Sequence, residues 1–121
     1  MKDIESRTDI EHLVDAFYAK VIVDETIGHF FTEVVPIDWD KHMPTMYDFW
    51  ESMLLGAANY QGNPMQKHIA FSKKEPLKPK HFSQWLSLWE QTINANFEGD
   101  KAREAIMRAK SIAGIMEMKT S

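Results

Sequence analysis

The chain has no cysteine. That excludes disulfides and every thiolate-based metal site. It has no long apolar run, and its apolar stretches are far shorter than the roughly 20 residues a membrane span needs. The opening "MKDIESRTDIEH" carries charges where a signal peptide needs an apolar region, so no secretory leader is expected and the cytoplasm is the expected location. Positive charge is also scarce. Fourteen Lys and Arg stand against eighteen Asp and Glu, a formal net charge of −4, so a phosphate-binding face and a nucleic-acid partner are not expected. Glycine and proline number five each and fall mostly between periodic segments. No strand-like alternation, internal repeat or low-complexity segment occurs.

What the chain does hold is bulk. Four Trp, seven Phe and eight Met in 121 residues suit a helical protein whose large side chains line a space. The length fits a single domain, residues 1–121, with one core.

Periodicity places the helices. "TDIE" at Thr8–Glu11 reads as a capping box. Ile10, Leu13, Val14, Phe17, Tyr18, Val21 and Ile22 follow as one stripe, which predicts a helix over roughly 9–23. "ETIGHFFTEVV" reads as a short helical turn and a loop. Asp38 is the expected cap of a second long helix reaching Ala57, with His42, Met46, Phe49 and Met53 on one stripe and Trp39, Met43 and Trp50 beside it. Pro44 lies inside this segment. Proline in a helix interior costs about 3 kcal/mol and disfavours helical angles in the residue before it. A separate turn or a kink at 39–42 is therefore expected, with straight helix from near Pro44.

Asn63-Pro64 opens a short helix that carries His68. Pro79 starts a further helix with Phe82, Trp85, Leu86, Trp89 and Ile93 on one face. Gly99-Asp100 turns into a last helix with the small-residue stripe Ala102, Ala105, Ile106, Ala109, Ile112, Ala113 and Met116. The expected class is all-α: four long helices and one short.

In "QGNPMQKHIAF" an ionisable ring sits beside Met65 and Ile69. Alone, such a histidine is most often a surface residue. Tyr18, His42 and Trp85 each put a polar tip on a stripe that should face inward. All three can be satisfied core residues, as Tyr and Trp often are. Together with a histidine on a detached short helix they are a less ordinary set.

These segments resemble the truncated haemoglobins, specifically their third group. The resemblance spans nearly the whole chain. It rests on "FYAKV" at Phe17–Val21, "WDKHM…DFWESMLLG" from Trp39 to Gly56, "YQGNPMQKH" at Tyr60–His68 and "HFSQWLSLWEQT" at His81–Thr92. It implies a globin-like 2-on-2 helical sandwich around haem. It makes His68 the axial ligand of a ferrous, five-coordinate iron, with Tyr18, His42 and Trp85 on the distal side. Met46, Phe49 and Met53 would pack on the porphyrin. The haem would be b-type, since no cysteine can attach it covalently. Pro44 departs from the family pattern and suggests that His42 lies in a loosened turn and swings as a gate.

The function the resemblance implies is binding of O2, or of CO and NO, at that iron. Alternatives are nitric oxide dioxygenation or peroxide chemistry with an external, unidentified reductase, and a haem-free helical interaction module, against which His68 argues. A monomer is expected. His12, His29 and His81 have ordinary readings as helix-surface, loop and first-turn residues. Glu51 and Glu90 read as solvated faces, and Lys67 as either a propionate partner or a surface lysine.

Overall fold

The structure, a computed structural model, describes residues 1–34, 38–57 and 78–120. Helix α1 runs Arg7–Val21. It starts ahead of the expected capping box. Ser6 is extended, at φ −147° and ψ 168°, and its hydroxyl accepts from the Asp9 amide at 3.4 Å. Asp9 is turned backwards instead of outwards, accepting from the Glu5 amide at 2.9 Å and from Lys2 Nζ at 3.0 Å. The Thr8–Glu11 box does not form, because the preceding serine already closes the turn. At the other end the helix stops before Ile22 and Val23, which are solvent-exposed. The rest of the predicted stripe faces inward, with Ile10, Leu13, Val14, Phe17 and Val21 buried.

Asp24 then folds the chain back. Its Oδ2 accepts from the amides of Thr26 and Ile27 at 2.9 and 3.0 Å, and its Oδ1 accepts from Gln84 Nε2 at 2.7 Å. A π-helical turn follows at Phe30–Val34.

Helix α2 spans Trp39–Leu55 without interruption, and Pro44 lies inside it. The expected separate turn at 39–42 is absent, and these residues belong to the helix itself. The helix tolerates the proline because only five residues precede it, so one carbonyl, that of Asp40, loses its amide partner. Asp40 and Pro44 are both exposed, which lets solvent reach that carbonyl. Thr45 Oγ1 also donates to the Lys41 carbonyl at 2.9 Å, tying the turns across the proline. The unbroken helix removes the basis for a loosened turn and a swinging His42. Gly56, left-handed at φ 77°, ends the helix short of Ala57.

Helix α3 is Pro79–Asn96, with proline at its first position as expected, and helix α4 is Asp100–Thr120. Among the described residues there are no strands. The short helix expected at residue 64 onward, with His68 and Lys67, lies outside the described residues.

Four packings hold these helices: α1 on α2, α1 on α3, α3 along α4, and a shorter contact of α2 with α4. The alanines of α4 serve the predicted purpose. Ala102, Ala105, Ala109 and Ala113 are buried, letting α3 approach closely. Arg7 clasps α1 to α2. Its Nη1 donates to Asp48 at 2.6 Å and to Glu51 at 2.9 Å, while Nε donates to Glu11 at 3.0 Å. Glu51 is therefore a partner in an interhelix ion pair, not a solvated face. Alternate carboxylates project from two helices towards one guanidinium, which no single helix pattern reveals. Tyr47, whose hydroxyl donates to Asp15, adds a second link between α1 and α2.

The first six residues form an arm across the α3–α4 corner. Ile4 is buried, Glu98 donates its amide to the Lys2 carbonyl at 3.0 Å, and Asp3 accepts from the amides of Lys101 and Ala102 at 2.9 Å each. Asp3 thus caps α4, where a carboxylate is favoured by the helix dipole. Gly99 makes room for it. Its φ is 129°, and a Cβ there would lie 2.7 Å from Asp3 Cγ.

Candidate functional site

All four helices converge on one apolar cavity of about 30 Å³. Helix α1 supplies Val14, Phe17 and Tyr18, and α2 supplies Met46, Phe49 and Trp50. Helix α3 adds Trp85 and Trp89, and α4 adds Ile112 and Met116. That is the space open to the centre of a water-sized guest, of which one water needs about 10–15 Å³, so there is room for a guest of one or two heavy atoms.

Tyr18 supplies the polar tip. Its hydroxyl is hydrogen-bonded to His42 Nε2 at 3.0 Å. The imidazole donates in one tautomer and accepts in the other. Burial pushes the Tyr18 phenol above its ordinary pKa of 10.0, so it stays a neutral O–H group at physiological pH. Its ring is set among four others: Phe17 at 5.1 Å, Phe31 at 5.9 Å, Trp39 at 5.6 Å and His42 at 5.1 Å, all edge-on.

Trp85 is half-buried, with its ring 6.0 Å from Phe17 and nearly perpendicular to it. Among the described residues its indole N–H has no hydrogen-bond partner. The same holds for Trp50, which is buried and stacks on Trp89 at 4.5 Å and 25°. Burying a donor without a partner costs about 1–3 kcal/mol. Indole groups left open beside a cavity are therefore suited to an acceptor that enters it. Trp89 differs, because its N–H donates to the Ala105 carbonyl at 3.1 Å.

The predicted residues separate as follows. Tyr18 and Trp85 line the cavity with Met46 and Phe49, and His42 joins through Tyr18. Met53 is half-buried and packs on the core without lining the cavity. His68 lies outside the described residues. Trp50 lines the cavity although the sequence reading placed it only beside the stripe. Trp39 touches both Tyr18 and His42 and was equally unmarked.

Two of the remaining histidines fit ordinary roles. His12 is exposed, 3.2 Å from Asn96 Oδ1, and His29, helical where a loop was expected, lies against the Phe30 ring at 4.3 Å. His81 is more than a first-turn residue. It is buried, and its Nδ1 accepts from the Lys78 amide at 2.8 Å, closing the start of α3. Accepting through Nδ1 there requires that nitrogen to be unprotonated, which sidesteps the unfavourable cation at a helix N-terminus. Among the described residues no group of three or more His, Asp or Glu could hold a metal ion, and no helix is long and apolar enough to cross a membrane.

Comparison with known proteins gives three findings. The family model of bacterial-like globins matches residues 3–117. The group 3 truncated hemoglobin ctb of Campylobacter jejuni is 30% identical over 111 residues, which cover 89% of this chain and 85% of that protein. The crystal structure of a group III truncated hemoglobin from Campylobacter jejuni matches with a TM-score of 0.84 at 29% identity, covering 100% of this chain and 96% of the other.

Proposed function

The chain belongs to the bacterial-like globin family, and from that premise we propose that it is a haem-binding globin that takes O2 or another diatomic gas such as CO or NO. One observation carries the reading beyond the family: a neutral phenol, anchored by His42 and joined by an indole that has no partner among the described residues, lines an apolar cavity with room for a diatomic molecule.

The described residues fit haem on one side. Met46 and Phe49 give an apolar wall, and the polar atoms of the cavity are hydroxyl and indole groups, not charges. In this reading Met46, Phe49 and Met53 would hold the macrocycle and His68 would ligate its iron. The macrocycle would be held non-covalently as haem b, because the chain has no cysteine. When bound, haem would supply an iron able to take a diatomic gas.

The protein's own contribution is hydrogen-bond donation. When His42 Nε2 carries its proton, the ring donates to the Tyr18 oxygen and leaves the phenol O–H to reach the guest. Trp85 offers a second donor. A bond to a partly charged acceptor is worth about 1.5–3 kcal/mol, and O2 draws more charge outward than CO does. The pair therefore favours O2 and slows its release. Slow release suits scavenging, or chemistry on the ligand, better than transport.

The full-length chain, purified with haem supplied, is expected to show a Soret band that His68→Gly abolishes. A chain with normal helix content that stays colourless would overturn the reading.

A further inference from the structure

His42 must face α1 to meet Tyr18, and the regular turn of α2 that carries it lacks two of the usual bonds of a helix start. The N-cap residue Asp38 makes no side-chain capping bond. The proline two residues after His42 deprives the Asp40 carbonyl of its helical partner. Besides the bonds within the helix, the amides of Lys41 and His42 donate to the Asp38 carbonyl at 3.1 and 2.8 Å. They set the turn's shape but do not direct the imidazole towards α1.

Trp39 does. It precedes His42 by three residues and so shares its helix face. Its ring meets His42 edge-on at 5.6 Å and 88°, and meets Tyr18 at 5.6 Å and 70°. Tyr18 and His42 are themselves 5.1 Å apart at 80°. Each of the three rings touches the other two, across two helices. Trp39 does not resemble a core anchor such as Trp89. It is half-buried, and its N–H has no hydrogen-bond partner among the described residues.

We propose that Trp39 is a positioning residue, a wedge that presses the His42 imidazole onto Tyr18 and so gives the Tyr18 hydroxyl one orientation towards the cavity. Its effect on a gas ligand rests on the haem-globin reading above. The wedge itself concerns three side chains and can be read without haem.

The test uses the full-length chain with Trp39→Ala and Trp39→Phe. Nitrogen-15 NMR of the His42 ring is expected to show a single tautomer in the parent chain and in Trp39→Phe, which keeps an aromatic edge. Trp39→Ala is expected to show averaged tautomers. In the haem-loaded protein, the infrared C–O stretch of the CO complex should be one band in the parent and in Trp39→Phe, and two in Trp39→Ala. O2 release from Trp39→Ala should be about tenfold faster, the scale of one aromatic pair. A Trp39→Ala variant with the parent's imidazole spectrum and a single C–O band overturns the proposal. So does a Trp39→Phe variant as disturbed as Trp39→Ala, since lost bulk would then explain both. If the parent chain takes up no haem, the gas-binding reading fails and the NMR arm alone decides for Trp39.

Discussion

Trp85 and Trp89 stand one turn apart on α3 and meet the same ring, Phe17, at 6.0 and 4.9 Å. Their surroundings are opposite. Trp89 is buried, stacks on Trp50 and donates to Ala105, so all its needs are met inside the protein. Trp85 is half-buried and keeps its donor unused among the described residues. One end of the cavity, that of Trp89, is finished structure but for the Trp50 N–H, which has no partner among the described residues. The other, where Tyr18 and His42 also lie, is left with bonding capacity to spare. Stability and ligand chemistry are thus assigned to neighbouring residues of the same type, and the two can be separated by experiment.

The largest effect on stability should come from the finished end. Trp89→Ala is expected to cost about 3–5 kcal/mol in urea unfolding, because it opens a cavity in the core. Trp85→Ala should cost far less. Equal losses would erase the contrast.

At the open end the reverse holds. Tyr18→Phe with Trp85→Phe should speed O2 release from the haem-loaded chain by roughly 10²–10⁴ if the two donors act independently, and by less if they share one acceptor. Stability should move little. Stopped-flow release as slow as in the parent would show that the spare donors do not reach the guest.

The same division between filled and open places applies to two glycines. Gly99→Ala forces a side chain onto a left-handed residue already touching Asp3, and should destabilise by about 1–3 kcal/mol. Gly114 sits within α4, where an added Cβ meets nothing within 4 Å, so Gly114→Ala should stabilise by about 0.5–1 kcal/mol. Thermal denaturation distinguishes the two signs.

The smallest effect is a pH dependence of the carboxylates in and beside the arm. Burial pushes the Asp3 and Asp9 carboxyls up. The amides of Lys101, Ile4 and Ala102 around Asp3, and Lys2 with the Glu5 amide around Asp9, outweigh it and hold both below the ordinary 3.8. A carboxyl depressed in the folded state stabilises fully above its unfolded value and loses that contribution as pH falls through the folded one. Urea midpoints should therefore hold steady down to about pH 5 and drop below 3.8, and Asp3→Asn should flatten the drop.

Helix identity was legible wherever a stripe was long. The inward faces of α1 and α3 and the alanine row of α4 follow directly from spacing, as does the start of α3 at Pro79. Local competition was not legible. Ser6 and Thr8 are both good caps, and the extended backbone at Ser6 decided between them. Pro44 reads as a break, but its exposure and its nearness to the helix start made it tolerable. Tyr18, Trp85, Met46 and Phe49 reached the site because stripe and resemblance agreed on them. Trp39, Trp50 and the buried cap of His81 escaped notice because each acquires its role from a residue on another element, and helical spacing carries no record of that partner.

The arm has a kinetic corollary. Asp3 finds its amides at Lys101 and Ala102, across sequence separations of 98 and 99 residues. Such closures form late and lengthen the search for the native state. On the ribosome, Asp3 cannot meet those amides until residues 101 and 102 have emerged, so a chaperone that shields the arm would gain most while this protein is still being made.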